Sequence, residues 1–207
     1  MNLIGEIFVR FLRFLPERIF AMKLMFASDI HGDIVRAEEA MATYEKEKAE
    51  KLILLGDLLY FGPRNQLTEN YNPQAVIKLL NENKNELICV RGNCDAEVDQ
   101  MVLDFPIMAE YAYLCIDGFM ILLTHGHKIN TETAKNLRAG EILIHGHTHI
   151  LCIEKFGDGN IYINPGSTTY PKENNPRSYM VYENGVFSIR ELGSGKVIKE
   201  INLRKDL

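Results

Sequence analysis

The segment His145-Gly146-His147-Thr148-His149 places three imidazoles at every second position. The other three of the chain's six histidines fall in two further clusters, Asp29-Ile30-His31 and Thr124-His125-Gly126-His127. Each cluster directly follows an apolar, β-branched run, at 23–28, 119–123 and 141–144. Two more such runs end in the same way: 52–55 at Gly56-Asp57, and 86–90 at Arg91-Gly92-Asn93-Cys94-Asp95. Five strand-like runs thus deliver Asp, His and Asn to one rim of a sheet. Histidines that serve only packing would be scattered, so this spacing points to a metal site.

The donors define the kind of metal. Oxygen and imidazole ligands suit Mn, Fe, Ni or Zn in octahedral or five-coordinate sites, and the chain has no thiolate set that demands structural zinc. Asp29 and His31, two apart at a strand end, can grip one ion from a single loop. Asp57 comes from a neighbouring strand and has two oxygens, enough to bridge two ions. Asn93 offers a neutral carbonyl that adds a ligand without adding charge. Two aspartates against two divalent cations leave the site net positive, as phosphate binding requires. Two-metal sites with ions roughly 3.5–4 Å apart activate a water and clamp the oxygens of an in-line displacement.

Composition fits one enzyme-sized domain. The 207 residues are 46% hydrophobic, enough for a single substantial core. A formal net charge of −5 gives no basic footprint, which excludes long duplex nucleic acid as the main partner. A small phosphorylated ligand stays compatible, because bound metal makes a site locally positive. Cys89, Cys94, Cys115 and Cys152 show no CxxC spacing, and the expected setting is reducing and cytoplasmic. A homo-oligomer is compatible with the composition.

Residues 1–21 form an extension with its own pattern. Leu3, Ile4, Ile7, Phe8, Phe11, Leu12 and Leu15 are apolar, while Glu6, Arg10, Arg13 and Glu17 recur at helical spacing. The pattern predicts an amphipathic helix ending near Pro16, too interrupted by charge to span a bilayer. It lacks the basic region and small-residue cleavage site of a secretory signal. It reads as a helix docked on the domain, an interfacial membrane helix, or a start assigned upstream of Met22. The last is favoured, because Met22 leads directly into the first strand.

From Met22 the order is helix-linked strands first and hairpins later. Helices are expected at 34–49, 74–83 and 131–138, with a helical turn at 96–102. The 58–73 loop, with Tyr60, Gly62, Pro63, Arg64 and Asn65, is long enough to line a site. Strands at 111–116 and 119–123 join at Asp117-Gly118, a good hairpin turn. Beyond His149, strands are expected at 151–156, 161–163, 179–183, 186–191 and 196–203. With no repeat or linker, residues 22–207 form one α/β domain, a sandwich of two sheets packed face to face with helices outside.

The ordered set D-x-H, G-D, G-N-x-D, T-H-G-H and G-H-x-H resembles the calcineurin-like metallophosphoesterases. Within them the chain is most similar to the YfcE-type bacterial phosphodiesterases, which share its GNCD and GPRN stretches and Asn164-Pro165-Gly166-Ser167. Any one motif is weak; five in order, each on a strand end, are specific. The resemblance covers residues 22–207. It implies an αββα sandwich of two mixed sheets and a dinuclear centre, most readily Mn²⁺, with a metal-bridging hydroxide as nucleophile. It assigns Asp29, His31, Asp57 and His149 to one ion, and Asp57, Asn93, His125 and His147 to the other.

The same resemblance implies a metal-dependent phosphodiesterase acting on small phosphodiesters. A phosphomonoesterase on the same site is the chemical alternative, and a non-catalytic scaffold, as in the retromer subunit of this fold, is the alternative from another class. Scaffold relatives tend to lose a ligand, and all seven are intact here. Cys94 stands where many relatives have a histidine that assists the leaving group. Asp95 is expected to hold its loop, His127 to support the ligands or touch substrate, and Arg64 either to contact the substrate phosphate or to be a solvated loop arginine. His145 is expected to be structural.

Overall fold

The computed structural model describes residues 22–206; the expected N-terminal helix lies outside them. The first strands, β1 (Lys23–Ala27), β2 (Lys51–Leu54) and β3 (Leu87–Cys89), run parallel. The apolar runs alternate between two cores. Leu24, Phe26 and Ile53 face the second sheet, while Met25, Ala27, Leu52 and Leu54 face the helices. Strands covered on both faces need such unbroken apolar sequence.

Helix α1 (Ile34–Glu47) starts on Asp33, whose carboxylate accepts from Arg36 N, and stops at Lys48 in the left-handed conformation. Helix α2 (Pro73–Glu82) starts on an Asn72 cap with Pro73 in its first turn, where a missing N–H costs nothing. Both pack on the outer face of the first sheet through Ala37, Met41, Val76 and Leu80. A single turn, α3 (Glu97–Gln100), falls where a helical turn was expected.

The second half supplies β4 (Tyr111–Ile116), β5 (Phe119–Thr124), β6 (Ile142–Ile144), β7 (Cys152–Phe156) and β8 (Asn160–Asn164). It then adds β9 (Ser178–Glu183), β10 (Val186–Glu191) and β11 (Val197–Asn202). One mixed sheet has the order β11-β10-β9-β1-β2-β3 and the other β4-β5-β6-β8-β7. Asp117 and Gly118 both have positive φ, as do Asn184 and Gly185, which is the tight turn two-residue hairpins favour. The two-sheet sandwich is the architecture the sequence implied. The final turn α4 (Leu203–Asp206) replaces the last residue of the expected terminal strand.

One expected element does not form. Residues 131–138 are turns, not a helix. The Asn130 carboxamide oxygen accepts from the backbone N–H of Glu132 and Thr133, and the Thr133 hydroxyl donates to Lys128 O. These local side-chain bonds compete with helix formation. The turn segment, with Ile129, Ala134 and Leu137, covers Leu122, Leu143 and Tyr162 on the outer face of the second sheet.

Candidate metal centre

Every proposed ligand follows the C-terminal end of a parallel strand: Asp29 and His31 after β1, Asp57 after β2, Asn93 after β3, His125 after β5, His147 and His149 after β6. Open α/β sheets place their binding crevice at such ends. Asp29, His31, Asp57, His147 and His149 all have positive φ, a costly conformation for non-glycine residues. Two glycines allow the loops to close over them. A Cβ on Gly92 would collide with the Asp57 carboxylate, and one on Gly146 would collide with Ser28 and Asp29.

The histidine tautomers follow from the backbone. His31 Nδ1 lies 2.7 Å from Tyr60 O, His149 Nδ1 2.8 Å from Tyr170 O, and His125 Nδ1 2.6 Å from Leu55 O. A carbonyl only accepts, so each Nδ1 carries a proton, and a ring in its neutral form turns an Nε2 lone pair inward. His31 and His149 bring these Nε2 atoms within 3.4 Å of each other. Asp29 Oδ1 lies 3.1 Å from His149 Nε2 and 3.6 Å from His31 Nε2. That oxygen is buried and has no hydrogen-bond partner among the described residues. Three acceptors therefore converge on one point.

A second convergence lies beside the first. His125 Nε2 is 3.0 Å from Asn93 Oδ1 and 3.4 Å from Asp57 Oδ2. Asp57 Oδ2 is also 3.7 Å from His31 Nε2, so this one oxygen belongs to both groups. Its other oxygen, Oδ1, accepts from Cys94 N at 2.8 Å. Only a proton or a cation satisfies acceptors arranged this way. Donors about 2.1 Å from a common ion stand roughly 3 Å apart, and the observed spacings match that scale. The residues fit a divalent metal.

Electrostatics agree. Burial opposes ionisation of Asp29, yet the adjacent His149 and His31 rings outweigh it and hold the carboxyl well below its usual range. Asp57 is also lowered, against burial, by its His125 partner. Burial pulls His125 down, but the bond to Asp57 and the two aspartate charges lift it to about 9. His31 is raised by Asp29 against burial, whereas burial and the His125 charge lower His147 to about 4.

The remaining sequence-marked residues separate cleanly. Asp95 is buried, and its carboxylate accepts from the backbone N–H of Asp57, Leu58 and Gly92 at 2.7–2.9 Å. It ties the β2 and β3 loops together and does not line the cavity. His145 stacks on Tyr162, with ring centroids 4.3 Å apart, and burial drives it down to about 4. His127 lies beside the His125 and His147 rings, 5.5 and 6.2 Å between centroids, with a buried Nδ1 that has no partner among the described residues. Cys94 lines the cavity, and burial with the Asp57 charge pushes its thiol far up, so it is neutral. Arg64, exposed, lines the cavity too.

Sequence reasoning gave no role to several other residues that hold the proposed ligand loops. Ser28 Oγ donates to Asp29 Oδ2 at 2.6 Å. Ser167 Oγ donates to Asp29 O, and Thr169 Oγ1 to Ile30 O. Asn164 Nδ2 donates to Gly146 O and to Thr148 Oγ1. The quoted Asn164-to-Ser167 motif was the available signal. Lys172, which lines the cavity, carried none.

A sandwich of two mixed sheets, with helices on one outer face and acceptor-only clusters of Asp, His and Asn at its strand ends, defines a metallophosphoesterase domain. The chain belongs to the calcineurin-like phosphoesterase superfamily, whose domain profile matches residues 22–185. It is 42% identical over 180 residues to phosphodiesterase YfcE of Escherichia coli K12, spanning 87% of this chain and 97% of that protein. The solved structure of that E. coli phosphoesterase superposes with a TM-score of 0.84, covering 88% of this chain and all of the other. Two structures share the fold at 21% identity. One is an archaeal phosphodiesterase (TM-score 0.57, 87% of this chain, 99% of that one). The other is Vps29 of Entamoeba histolytica complexed with Zn²⁺ (TM-score 0.56, 88% and 99%). The protein is thus an enzyme, a metal-dependent phosphoesterase. No described helix is long and apolar enough to cross a membrane.

Proposed function

We propose that the chain hydrolyses small phosphodiesters at a dinuclear centre. Asp29, His31, Asp57 and His149 hold one ion, and Asp57, Asn93, His125 and His147 hold the other. The observation that carries this reading is Asp57 Oδ2, one carboxylate oxygen shared by two acceptor-only clusters. Two divalent ions at such a site supply an acidified bridging hydroxide as nucleophile and a clamp on the phosphoryl oxygens. The protein's own groups do the rest. Leu55, Tyr60 and Tyr170 carbonyls fix the rings, Asp95 fixes the Asp57 loop, and Arg64 reaches the substrate phosphate from the cavity wall. His127 supports the ring pair from outside the cavity. The neutral Cys94 thiol supplies no charge, which favours esters whose leaving groups depart unaided.

The donor set of imidazoles, carboxylates and one carboxamide supports Mn²⁺, with Fe, Ni and Zn as alternatives. Four free cysteines support a reducing, cytoplasmic setting. YfcE, named a phosphodiesterase, supports the diester class. The test is a panel of phosphodiesters and monoesters on stripped protein reloaded with single metals. Mn²⁺ is expected to restore diester hydrolysis and Mg²⁺ to restore less, because Mg²⁺ keeps its waters. Faster turnover of monoesters than of diesters would sink the substrate class. Equal rescue by both metals would sink the imidazole-rich assignment.

A further inference from the structure

The cavity over the ligands measures about 140 Å³, room for a phosphoryl group and little more. The ester substituents must therefore lie outside it. A second cavity of about 740 Å³ opens directly beside it, sharing the walls Arg64, Asn65 and Lys172. Volumes of this size hold whole small-molecule ligands. The loop carrying Arg64 to Asn70 forms one side and the loop from Thr169 to Arg177 the other. Tyr170 Oη donates to Gln66 O at 2.7 Å, stapling the two sides. Lys172 N donates to His149 O, which ties the far wall to the ligand loop.

The charge of this groove is opposite to that of the chain. Arg36, Arg64, Lys172 and Arg177 line it, against Asp33 and Glu69, in a protein of net charge −5. Arg64, Lys172 and Arg177 have no carboxylate within ion-pair distance among the described residues. Asp33 is already engaged in capping α1 through Arg36 N. Two donors in the wall of this groove lack a hydrogen-bond partner among the described residues. Arg36 is held at Nη1 by Glu39, but its Nε is buried and unpartnered, as is the Thr68 hydroxyl. Buried donors without acceptors are costly. Guanidinium forks beside a lysine are suited to a phosphate group.

We propose that this groove is a subsite for a second phosphate, so that the substrates are diesters with one substituent bearing a terminal phosphate. The inference rests on the phosphodiester reading above and adds the class of substituent. Arg64 and Lys172 line both cavities, while Arg177, Arg36 and Thr68 line only the larger one.

Binding tests it without turnover. Thymidine 3′,5′-bisphosphate and thymidine 5′-monophosphate are titrated calorimetrically into Mn²⁺-loaded protein, the nucleoside serving only as a spacer. The bisphosphate is expected to bind about tenfold more tightly or better, the scale of one charge-assisted hydrogen bond. The preference is expected to shrink towards unity in Arg177→Gln, an exposed position where folding is not at stake, and in Arg36→Gln. Equal binding of the two probes, or an undiminished preference in both variants, would overturn the proposal. An equal gain from a 3′-carboxymethyl analogue would overturn the assignment to phosphate. In parallel, the corresponding 5′-(p-nitrophenyl) diesters report hydrolysis. Preference in binding with no diester turnover would refute the phosphodiesterase reading and leave the subsite standing.

Discussion

An ion entering protein stripped by chelation must displace protons, and the structure says from where. His125 Nε2 faces only acceptors, Asn93 Oδ1 and Asp57 Oδ2. Burial works against its protonation, but Asp57 and Asp29 lift its pKa to about 9. At pH 7 the ring must be deprotonated two units below that value before Nε2 can ligate. At 1.36 kcal/mol per unit this costs about 3 kcal/mol, roughly 100-fold in apparent affinity. His31 is raised as well, chiefly by Asp29 against burial, whereas His147 is lowered and yields no proton. Apparent Mn²⁺ affinity is therefore expected to climb about tenfold per pH unit for each proton released between pH 6 and 9. One to two protons should be released per loaded chain. Calorimetric titration in buffers of different ionisation enthalpy counts them directly. A flat affinity with no proton release would refute the ring-carboxylate pairing.

The same shift predicts a stability profile. A histidine raised in the folded state stabilises fully below its unfolded value of about 6.5 and loses that contribution as pH rises through the folded value. Stripped protein should thus lose thermal stability from pH 6.5 through about 9. Mn²⁺-loaded protein should not follow that decline.

Other outcomes follow from individual residues. Asp57→Asn should lower diester turnover by more than the 10–100-fold typical of an outer partner, with less than two ions per chain by elemental analysis; two ions with full activity would remove Asp57 from the bridge. Asp95→Ala strands three buried backbone N–H groups and should cost about 3 kcal/mol or more in urea unfolding; a loss under 1 kcal/mol would show that the loops hold themselves. Cys94→His should flatten the plot of log rate against leaving-group pKa, since general acids contribute about 10²–10⁴-fold; parallel plots would place the proton donor elsewhere. Removing residues 1–21 should leave hydrolysis unchanged, because every proposed ligand lies downstream; an inactive truncation would make the segment a packing element.

The strand ends were readable from sequence because buried parallel strands must be unbroken apolar runs, and each ended on Asp, His or Asn. The stacking of His145 on Tyr162, apart from the proposed ligand rings, agrees with the structural part the motif left it. The segment at 131–138 was not: composition allowed a helix, but Asn130 and Thr133 satisfy the backbone locally instead. The ring orientations were equally hidden, because the groups that set them are main-chain carbonyls of Leu55, Tyr60 and Tyr170, and a carbonyl has no residue signature. Lys172 reaches the cavity through a backbone bond to His149 O, a closure only the folded loop reveals.

Left-handed backbone at five proposed ligand positions explains why the clamp around them is so dense. Each such residue costs about 1 kcal/mol or more, and an isolated loop would relax out of it. Here Asp29 cannot relax: Ser28 holds its carboxylate, Ser167 holds its carbonyl, and His147 N donates to Oδ2. Asp57 is held on one oxygen by Cys94 N and at its own N–H by Asp95. His147 and His149 flank Thr148, whose hydroxyl is fixed by Asn164. The bonds that offset the strain come from β1, β2, β3 and the 164–170 segment, so the donors keep their spacing only while both sheets are assembled. The spacing of the proposed ligands is a property of the sandwich, and the short motifs specify it only in that context.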